Sequence, residues 1–401
     1  MSKPALRPPL SSSTRSTLLR DHGLIFAVWA LQKLVIFALS LTSKYAYDSS
    51  TTILFDANSD NGWSHLRWLT ERYTRWDTLY FTELSRRGNV WEQEWAFGRG
   101  WWGLVGVVAE GISPPLTGIL LSHLSHLGAV FMLYNLTQSL QFSRHHALLT
   151  SLLHALSPAG IFLAAGYTES LFALLSFVGM LLYSKRTWWA DFLAAVVWGY
   201  SGTVRSTGIF YAGFWAWRGV VEPVLISSSL RKGALGRVVW FAFLGVIVLS
   251  GFVWTQWEAY QIYCPGRPWC DSRLPMIYNF VQSHYWAVGF LRYWTLNQVP
   301  MWILAGPMLA LSTLSTVHYA KYATRNVELV PFVVLQAFLI LVAVTTMHVQ
   351  IWTRVSSSSV PTYWYAADIG RGVNWGKVIV GFFVGYNWVQ ALLYSRFLPP
   401  A

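Results

Sequence analysis

Charge is what this sequence has least of. Only 11% of its 401 residues are Asp, Glu, Lys or Arg, under half of the roughly 25% found in ordinary soluble domains. Hydrophobic residues make up 54%, and repeated apolar runs approach or exceed the roughly 17 to 25 residues that cross a bilayer as helix. A water-soluble fold is excluded. Cysteine is almost absent as well, with only Cys264 and Cys270. Two cysteines cannot complete a structural zinc site; they are candidates for a short-loop disulfide on an oxidising side, or free thiols. The chain has no Asp-x-Asp, no Gly-x-Ser-x-Gly turn and no glycine-rich phosphate loop. The first absence argues against a bound divalent metal, so none is expected, and the others argue against a serine hydrolase or a nucleotide-binding fold.

What remains is an all-α polytopic membrane protein. Residues 1–20 read as a disordered tail, rich in Ser and Pro, and 21–401 as a single membrane domain. Ten crossings are expected, at about 24–42, 114–136, 147–165, 169–183, 189–204, 207–220, 238–257, 299–318, 329–349 and 375–395. The Trp-rich 101–108 reads as a further short helix at or re-entering the interface. The formal charge of +12 is spread through short connections without a continuous stripe, which excludes nucleic acid and favours anionic lipid. Arg144, Lys185, Arg186, Arg218, Arg231, Lys232, Arg237, Lys321 and Arg325 then fall on the side of the N-terminal Lys3, Arg7, Arg15 and Arg20. The positive-inside rule makes that side cytosolic. Segments 43–100, 258–297 and 350–374 are expected on the opposite, lumenal side.

The scarce acids are gathered. Eight of the 17 Asp and Glu residues lie between Lys44 and Gly100, among large aromatics beside membrane-length runs, where an enzyme handling a polar lipid headgroup keeps its acids. Asp77 follows Arg75 and Trp76, and Glu92 and Glu94 come next. An extended chain points those two glutamates the same way; a helix separates them by about 200°. Such carboxylates can take a proton from a sugar hydroxyl, orient it, or bind a metal; a solvated loop paired with nearby arginines is the plain alternative. Glu169, in Tyr167-Thr-Glu-Ser170, either stabilises a helix start or contacts sugar. Arg205 sits in an apolar stretch and needs a partner or a polar cavity. Gln282-Ser-His284-Tyr285-Trp286, Arg292, and then His348 and Gln350 followed by Arg354 and four serines combine imidazole, guanidinium and aromatic surface suited to phosphate or glycan. His123 and His126 read as polar edges packed between helices. The 24 Trp and 20 Tyr suit interfacial belts or a glycolipid groove.

Together Arg75-Trp-Asp77, Trp95-Ala-Phe97, Ser157-Pro-Ala-Gly-Ile-Phe162, Tyr167 to Ala173, Val204-Arg-Ser-Thr-Gly208, Ile277 to Trp286, Gly289 to Thr295 and His348-Val-Gln-Ile-Trp352 resemble the PIG-V family of glycosylphosphatidylinositol (GPI) mannosyltransferases, in a fungal-like form. Gly98-Arg-Gly-Trp-Trp102 departs from the Phe-Pro-rich continuation more usual there. The resemblance implies a GT-C-type multispanning glycosyltransferase of the endoplasmic reticulum with a lumenal site. It implies inverting transfer of a second, α-1,6-linked mannose from dolichyl-phosphate mannose, a donor substrate rather than a cofactor, to a singly mannosylated GPI precursor. Asp77 is then the first choice for base, with Glu92, Glu94 and Glu169 behind it. Arg75, Arg205, His284 and Arg292 are assigned to the donor phosphate. Trp76, Tyr167, Gln282, Tyr285, Trp286, His348 and Gln350 are assigned to substrate contact. A small membrane accessory subunit is a candidate partner. Lipid transporter or scramblase, and non-catalytic scaffold, are the alternatives from other classes.

Overall fold

The computed structural model describes residues 12–57, 64–227 and 234–399, and every regular element among them is helical. The chain runs through α1 (Ser12–Leu41), the short helices α2 (Ser50–Ala57), α3 (Arg67–Tyr73), α4 (Asp77–Arg87) and α5 (Arg99–Val108), then α6 (Pro114–Ser139), α7 (Arg144–Ala155), α8 (Glu169–Ser184) and α9 (Trp188–Val204). A broken stretch containing α10 (Ala212–Ala216) and α11 (Glu222–Ser227) leads to α12 (Ala234–Tyr263) and α13 (Ile277–Tyr285). Next come α14 (Val299–Ala323), α15 (Val330–Thr345), α16 (Trp352–Val355), α17 (Val360–Ile369) and α18 (Val373–Ser395). Among the described residues, six stretches are long and apolar enough to cross a membrane: Ser16–Leu41, Pro114–Ser139, Ala234–Tyr263, Leu296–Ala323, Val327–Thr345 and Asn374–Ser395. The Trp-rich 101–108 lies within α5.

Proline and glycine shape these helices. Proline opens α6, α14, α15 and α17, where its missing N–H is one the first turn does not use. The expected crossing at 147–165 is helical only to Ala155 and resumes as a 3-10 turn at Gly160–Leu163, because Pro158 cannot continue the backbone ladder. The 207–220 segment breaks into a 3-10 turn (Ser206–Tyr211), α10, a π-helical turn (Trp217–Val221) and α11. Where α9 meets α12, a Cβ on Gly251 would fall 2.3 Å from the Gly199 carbonyl oxygen. Glycine there lets two backbones touch, the packing that helices in lipid depend on.

Ion pairs sort the connections into two ends. At one, Arg144 binds Asp21 at 2.6 Å, Arg218 binds Asp191 at 2.6 Å, and Arg186 binds Glu222 at 2.8 Å and Glu328 at 3.0 Å. Asp368 joins the same end, accepting from the Tyr319 hydroxyl at 2.7 Å with His146 Nδ1 at 3.2 Å. The opposite end carries the 43–113 connection, Gly166 to Glu169, Arg205 and the 264–298 connection. Of the positive groups that fixed the expected orientation, Lys3, Arg7, Arg231 and Lys232 lie outside the described residues.

Two expectations need correction. Residues 12–20 are helical and belong to α1, held by the buried Asp21 with Arg144 and the Tyr134 hydroxyl (2.6 Å); 1–11 lie outside the described residues. More consequentially, 350–374 is not one lumenal connection. It runs from Arg354 at one end to Asp368 at the other, and α18 then returns, so that the described residues make eleven end-to-end passages where ten were expected. The serine run misled because its hydroxyls turn inward. Ser357 Oγ donates to the Arg354 carbonyl at 2.7 Å, and Ser359 Oγ and Thr362 Oγ1 donate to Gln336 Oε1 at 2.5 and 3.0 Å. Polar groups so satisfied are as compatible with a packed interior as with water.

Side-specific labelling tests this path. In sealed membranes, a cysteine introduced at position 371 should react from the side that labels position 145, and one at 398 from the side that labels position 90. The reverse assignment of 371 and 398 would restore the ten-passage arrangement.

Candidate active site

A cavity of about 1820 Å³ opens at the end opposite the Asp21, Asp191 and Asp368 pairs, and Asp77 and Glu258 are the carboxylates on its wall among the described residues. Of the residues expected to act on substrate, Trp76, Asp77, Arg205, Gln282, Trp286, His348 and Gln350 line it, together with Arg354.

Asp77 is presented by an unusual turn. Trp76 adopts φ 55°, a left-handed conformation that a bulky side chain enters only when its surroundings hold it there. The restraint comes from α18 and the residues after it. The Tyr394 hydroxyl lies 3.1 Å from the Tyr73 carbonyl and 3.0 Å from that of Arg75, and receives the Arg75 N–H at 3.2 Å. The Phe397 ring packs 5.4 Å from Trp76 and 5.3 Å from the Arg75 guanidinium. Arg75, assigned to phosphate from the sequence, is built into the support of the turn and does not line the cavity. Helix α4 starts at Asp77 itself, whose carboxylate benefits from the helix N-terminus.

Asp77 is the outermost of a cluster of four charges. Glu169, the first residue of α8, is 1% exposed, and its Oε1 accepts from Arg205 Nη1 and from Arg354 Nε, each at 2.6 Å. Arg354 Nη2 in turn donates to Asp77 Oδ2 at 3.3 Å. Arg205 also donates to Thr168 Oγ1 at 3.1 Å. The Arg354 guanidinium sits 4.4 Å from the Phe162 ring centroid and 4.9 Å from that of Tyr167, so aromatic faces add to its stabilisation. Tyr167 is thus buried under the arginine, its hydroxyl donating to the Arg75 carbonyl at 3.4 Å. Glu169 is a holder of two arginines rather than an accessible base. Arg354, read beside His348 and Gln350 as part of a patch suited to phosphate or glycan, had no role of its own assigned. The signal was there, since a lone arginine in Ile351-Trp-Thr-Arg-Val355 poses the same demand for a partner as Arg205.

Glu92 and Glu94, the other catalytic candidates, are placed within the loop itself. Glu92–Ala96 is a 3-10 turn, so the two carboxylates diverge, and neither lines the cavity. Glu92 accepts from Trp269 Nε1 at 2.9 Å and from the Tyr285 hydroxyl at 3.3 Å, tying the first connection to α13 and to the loop closed by the Cys264–Cys270 disulfide. Glu94 accepts from Arg87 at 2.5 Å and from the amides of Val90 and Trp91 at 2.8 and 2.9 Å. Burial alone would raise its pKa, but Arg87 and the two amides outweigh it and hold the carboxyl below its ordinary value. His284 stacks on Phe280 at 4.9 Å, and Arg292 donates to the Ser283 carbonyl at 3.4 Å. Neither they nor Tyr285 line the cavity. His348 does; burial lowers its pKa despite the Trp286 carbonyl 2.9 Å away, so at neutral pH it is an uncharged donor fixing that loop. His126 packs between helices, its ring 5.3 Å from that of His154.

The Gly98-Arg-Gly100 departure also has a physical reason. A Cβ on Gly98 would fall 1.9 Å from the Val204 carbonyl oxygen, so glycine lets the loop close on the end of α9 beside Arg205.

A family model for mannosyltransferases of the PIG-V type matches residues 23–401. The chain belongs to the PIG-V mannosyltransferase family. GPI mannosyltransferase 2 of Yarrowia lipolytica is 37% identical over 378 residues, covering 94% of this chain and 98% of that one. Its counterpart in Gibberella zeae is 38% identical over 415 residues, covering 94% and 96%. Among solved structures, an oligosaccharyltransferase of Archaeoglobus fulgidus superimposes with a TM-score of 0.46 at 10% identity, over 93% of this chain and 54% of that one.

The Glu94 linkage has a definite sign. A carboxyl whose folded pKa lies below its unfolded value of about 4.3 stabilises the fold above that pH and loses the contribution as pH falls through the folded value. Glu94→Gln should therefore cost about 1–2 kcal/mol at pH 7, and thermal melts should show the gap to wild type closing below about pH 4. A gap that does not change with pH would contradict the assignment.

Proposed function

We propose that this PIG-V family member is a GPI mannosyltransferase that transfers mannose from dolichyl-phosphate mannose to the 6-hydroxyl of the first mannose on a GPI precursor, with inversion, in the endoplasmic reticulum. The observation that carries the reading is the Asp77–Arg354–Glu169–Arg205 cluster at the cavity wall. Inverting transfer needs a base on the acceptor side and cations on the leaving-phosphate side of one carbon. Asp77, its side chain 39% exposed, is the base. It accepts the proton of the attacking hydroxyl as the new C–O bond forms at the anomeric carbon. The sugar–phosphate C–O bond breaks, and its electron pair leaves with the lipid phosphate.

Arg205 and Arg354 stabilise that phosphate. Each guanidinium has five N–H donors, and the protein contacts described above engage only part of each set, so charge-assisted bonds to phosphate oxygen remain available. Glu169 keeps both cations in place without competing for the proton. The cavity faces the lumen in this reading, because the end bearing Arg144, Arg186, Lys321 and Arg325 is cytosolic under the positive-inside rule. A donor whose leaving group already sits between two guanidiniums needs no divalent ion.

Reconstitution with dolichyl-phosphate mannose and a singly mannosylated precursor tests the reading directly. Asp77→Asn should lower kcat by about 10²- to 10⁴-fold, the usual share of a positioned base. Arg354→Gln should instead raise the donor KM by roughly tenfold to a hundredfold, a charge-assisted bond being worth about 1.5–3 kcal/mol. Wild-type kcat in folded Asp77→Asn would remove Asp77 from the chemistry. Separately, prolonged chelation should leave transfer intact; activity lost on chelation and restored by Mg²⁺ or Mn²⁺ would show that an ion is required.

A further inference from the structure

Next to Arg205 the cavity wall carries a pair of hydroxyls that the transfer step leaves unused. Ser206 Oγ donates to the Tyr278 phenol oxygen at 2.7 Å. Arg205 caps α9 in extended backbone, φ −144° and ψ 136°, and along extended chain successive side chains point apart. Arg205 thus turns back to Glu169 and Thr168, while Ser206 reaches forward to α13. Thr168, Arg205, Ser206 and Tyr278 all line the cavity, so the gap between the two contacts faces it. Tyr278 is held there at three points. Its backbone N–H, in the first turn of α13, donates to Gln256 Oε1 of α12 at 3.0 Å. Its ring meets that of Phe252 edge-on at 5.7 Å, and Ser206 fixes the hydroxyl. Because Ser206 supplies the proton of that bond, the phenol's own proton enters no hydrogen bond among the described residues. Burial raises the Tyr278 pKa, and Ser206, Arg205 and Gln282 offset it only in part, so the phenol keeps its proton at neutral pH.

We propose that the Tyr278 hydroxyl donates a hydrogen bond to the leaving phosphate, and that Ser206 is the residue that positions it. The proposal rests on the donor and on the role of Arg205 given under Proposed function. The bound phosphodiester carries one negative charge. As the sugar–phosphate C–O bond breaks, its electron pair becomes a second charge on the departing oxygen. Arg205 and Arg354 meet the charge that is present throughout, whereas an uncharged donor gains most as the second one develops. An interaction stronger with the departing group than with the bound donor speeds transfer without tightening donor binding. A hydroxyl already fixed by its neighbours needs no reorganisation at that moment. The phenol O–H bond stays intact, so the proton of the attacking hydroxyl still goes to Asp77.

The experiment follows single-turnover transfer and inhibition by dolichyl phosphate, the released leaving group, with the full-length chain in membranes. Tyr278→Phe keeps the ring and its contacts with Phe252 and Gln256. It should slow transfer and weaken that inhibition together, each by about tenfold to a hundredfold, with donor and acceptor KM within about twofold of wild type. Ser206→Ala should move the same two quantities in the same direction by a smaller factor, and Ser206→Thr, which restores a hydroxyl, should bring them back. A purely structural role would not single out the rate and the product in this way, and the serine variants carry the test if Tyr278→Phe misfolds. Wild-type rate and inhibition in folded Tyr278→Phe, or a loss confined to acceptor KM, overturns the role of Tyr278 and leaves the transfer reading standing. If Arg205→Gln and Arg354→Gln also bind dolichyl phosphate as wild type does, the leaving group lies elsewhere and both readings fall.

Discussion

One buried oxygen organises the cavity end of this protein. Glu169 Oε1 accepts from two guanidiniums at 2.6 Å each, and those guanidiniums come from the end of α9 and from α16. Two cations held this close in a low-dielectric interior repel one another unless a carboxylate lies between them. The helix N-terminus at Glu169 adds its own positive field, which makes the ionised carboxylate the stable form. Arg354 can reach Asp77 only because Glu169 first fixes its other edge. The geometry at this end is a chain of dependence, from buried acid to arginine to accessible acid.

The scarcity of charge makes that arrangement unambiguous. The ion pairs gather at the two ends of the bundle, while the passages between are packed through aromatics and glycine contacts; Lys33, buried within α1, instead donates to the Leu163 carbonyl at 2.8 Å. Trp198, fully buried, stacks on Tyr211 at 4.9 Å, and the α9–α12 contact closes to backbone. Such packing is stiff. It gives a rigid frame to a cavity whose polar groups are few enough to be assigned one by one.

The helical membrane architecture was legible in the sequence because apolar runs and the spacing of Lys and Arg are local signals. Asp77 and Arg205 were legible for a related reason: an ionisable group beside a membrane-length run demands an explanation. Other features depended on contacts between distant segments. Glu92 and Glu94 read in sequence like Asp77, and only the contacts with Trp269 and Arg87 show them tied into the loop, away from the cavity wall. The Ser356 to Ser359 run looked like a solvated connection, and only Gln336 and the local carbonyls reveal it as interior. Arg354 went unassigned beside that run, since its partners lie 185 and 277 residues away.

The support of Trp76 by Tyr394 has a consequence for how the enzyme comes into being. The Arg75 carbonyl and the hydroxyl that holds it are 319 residues apart in the chain. At ribosomal speeds of about 5–20 residues per second, that gap lasts roughly 16 to 64 seconds. Until α16 and then α18 are made, the nascent chain carries Asp77 first without its arginine partner and then without its turn secured. A chain that stops before α18 therefore lacks the contacts that hold the Trp76 turn and present Asp77.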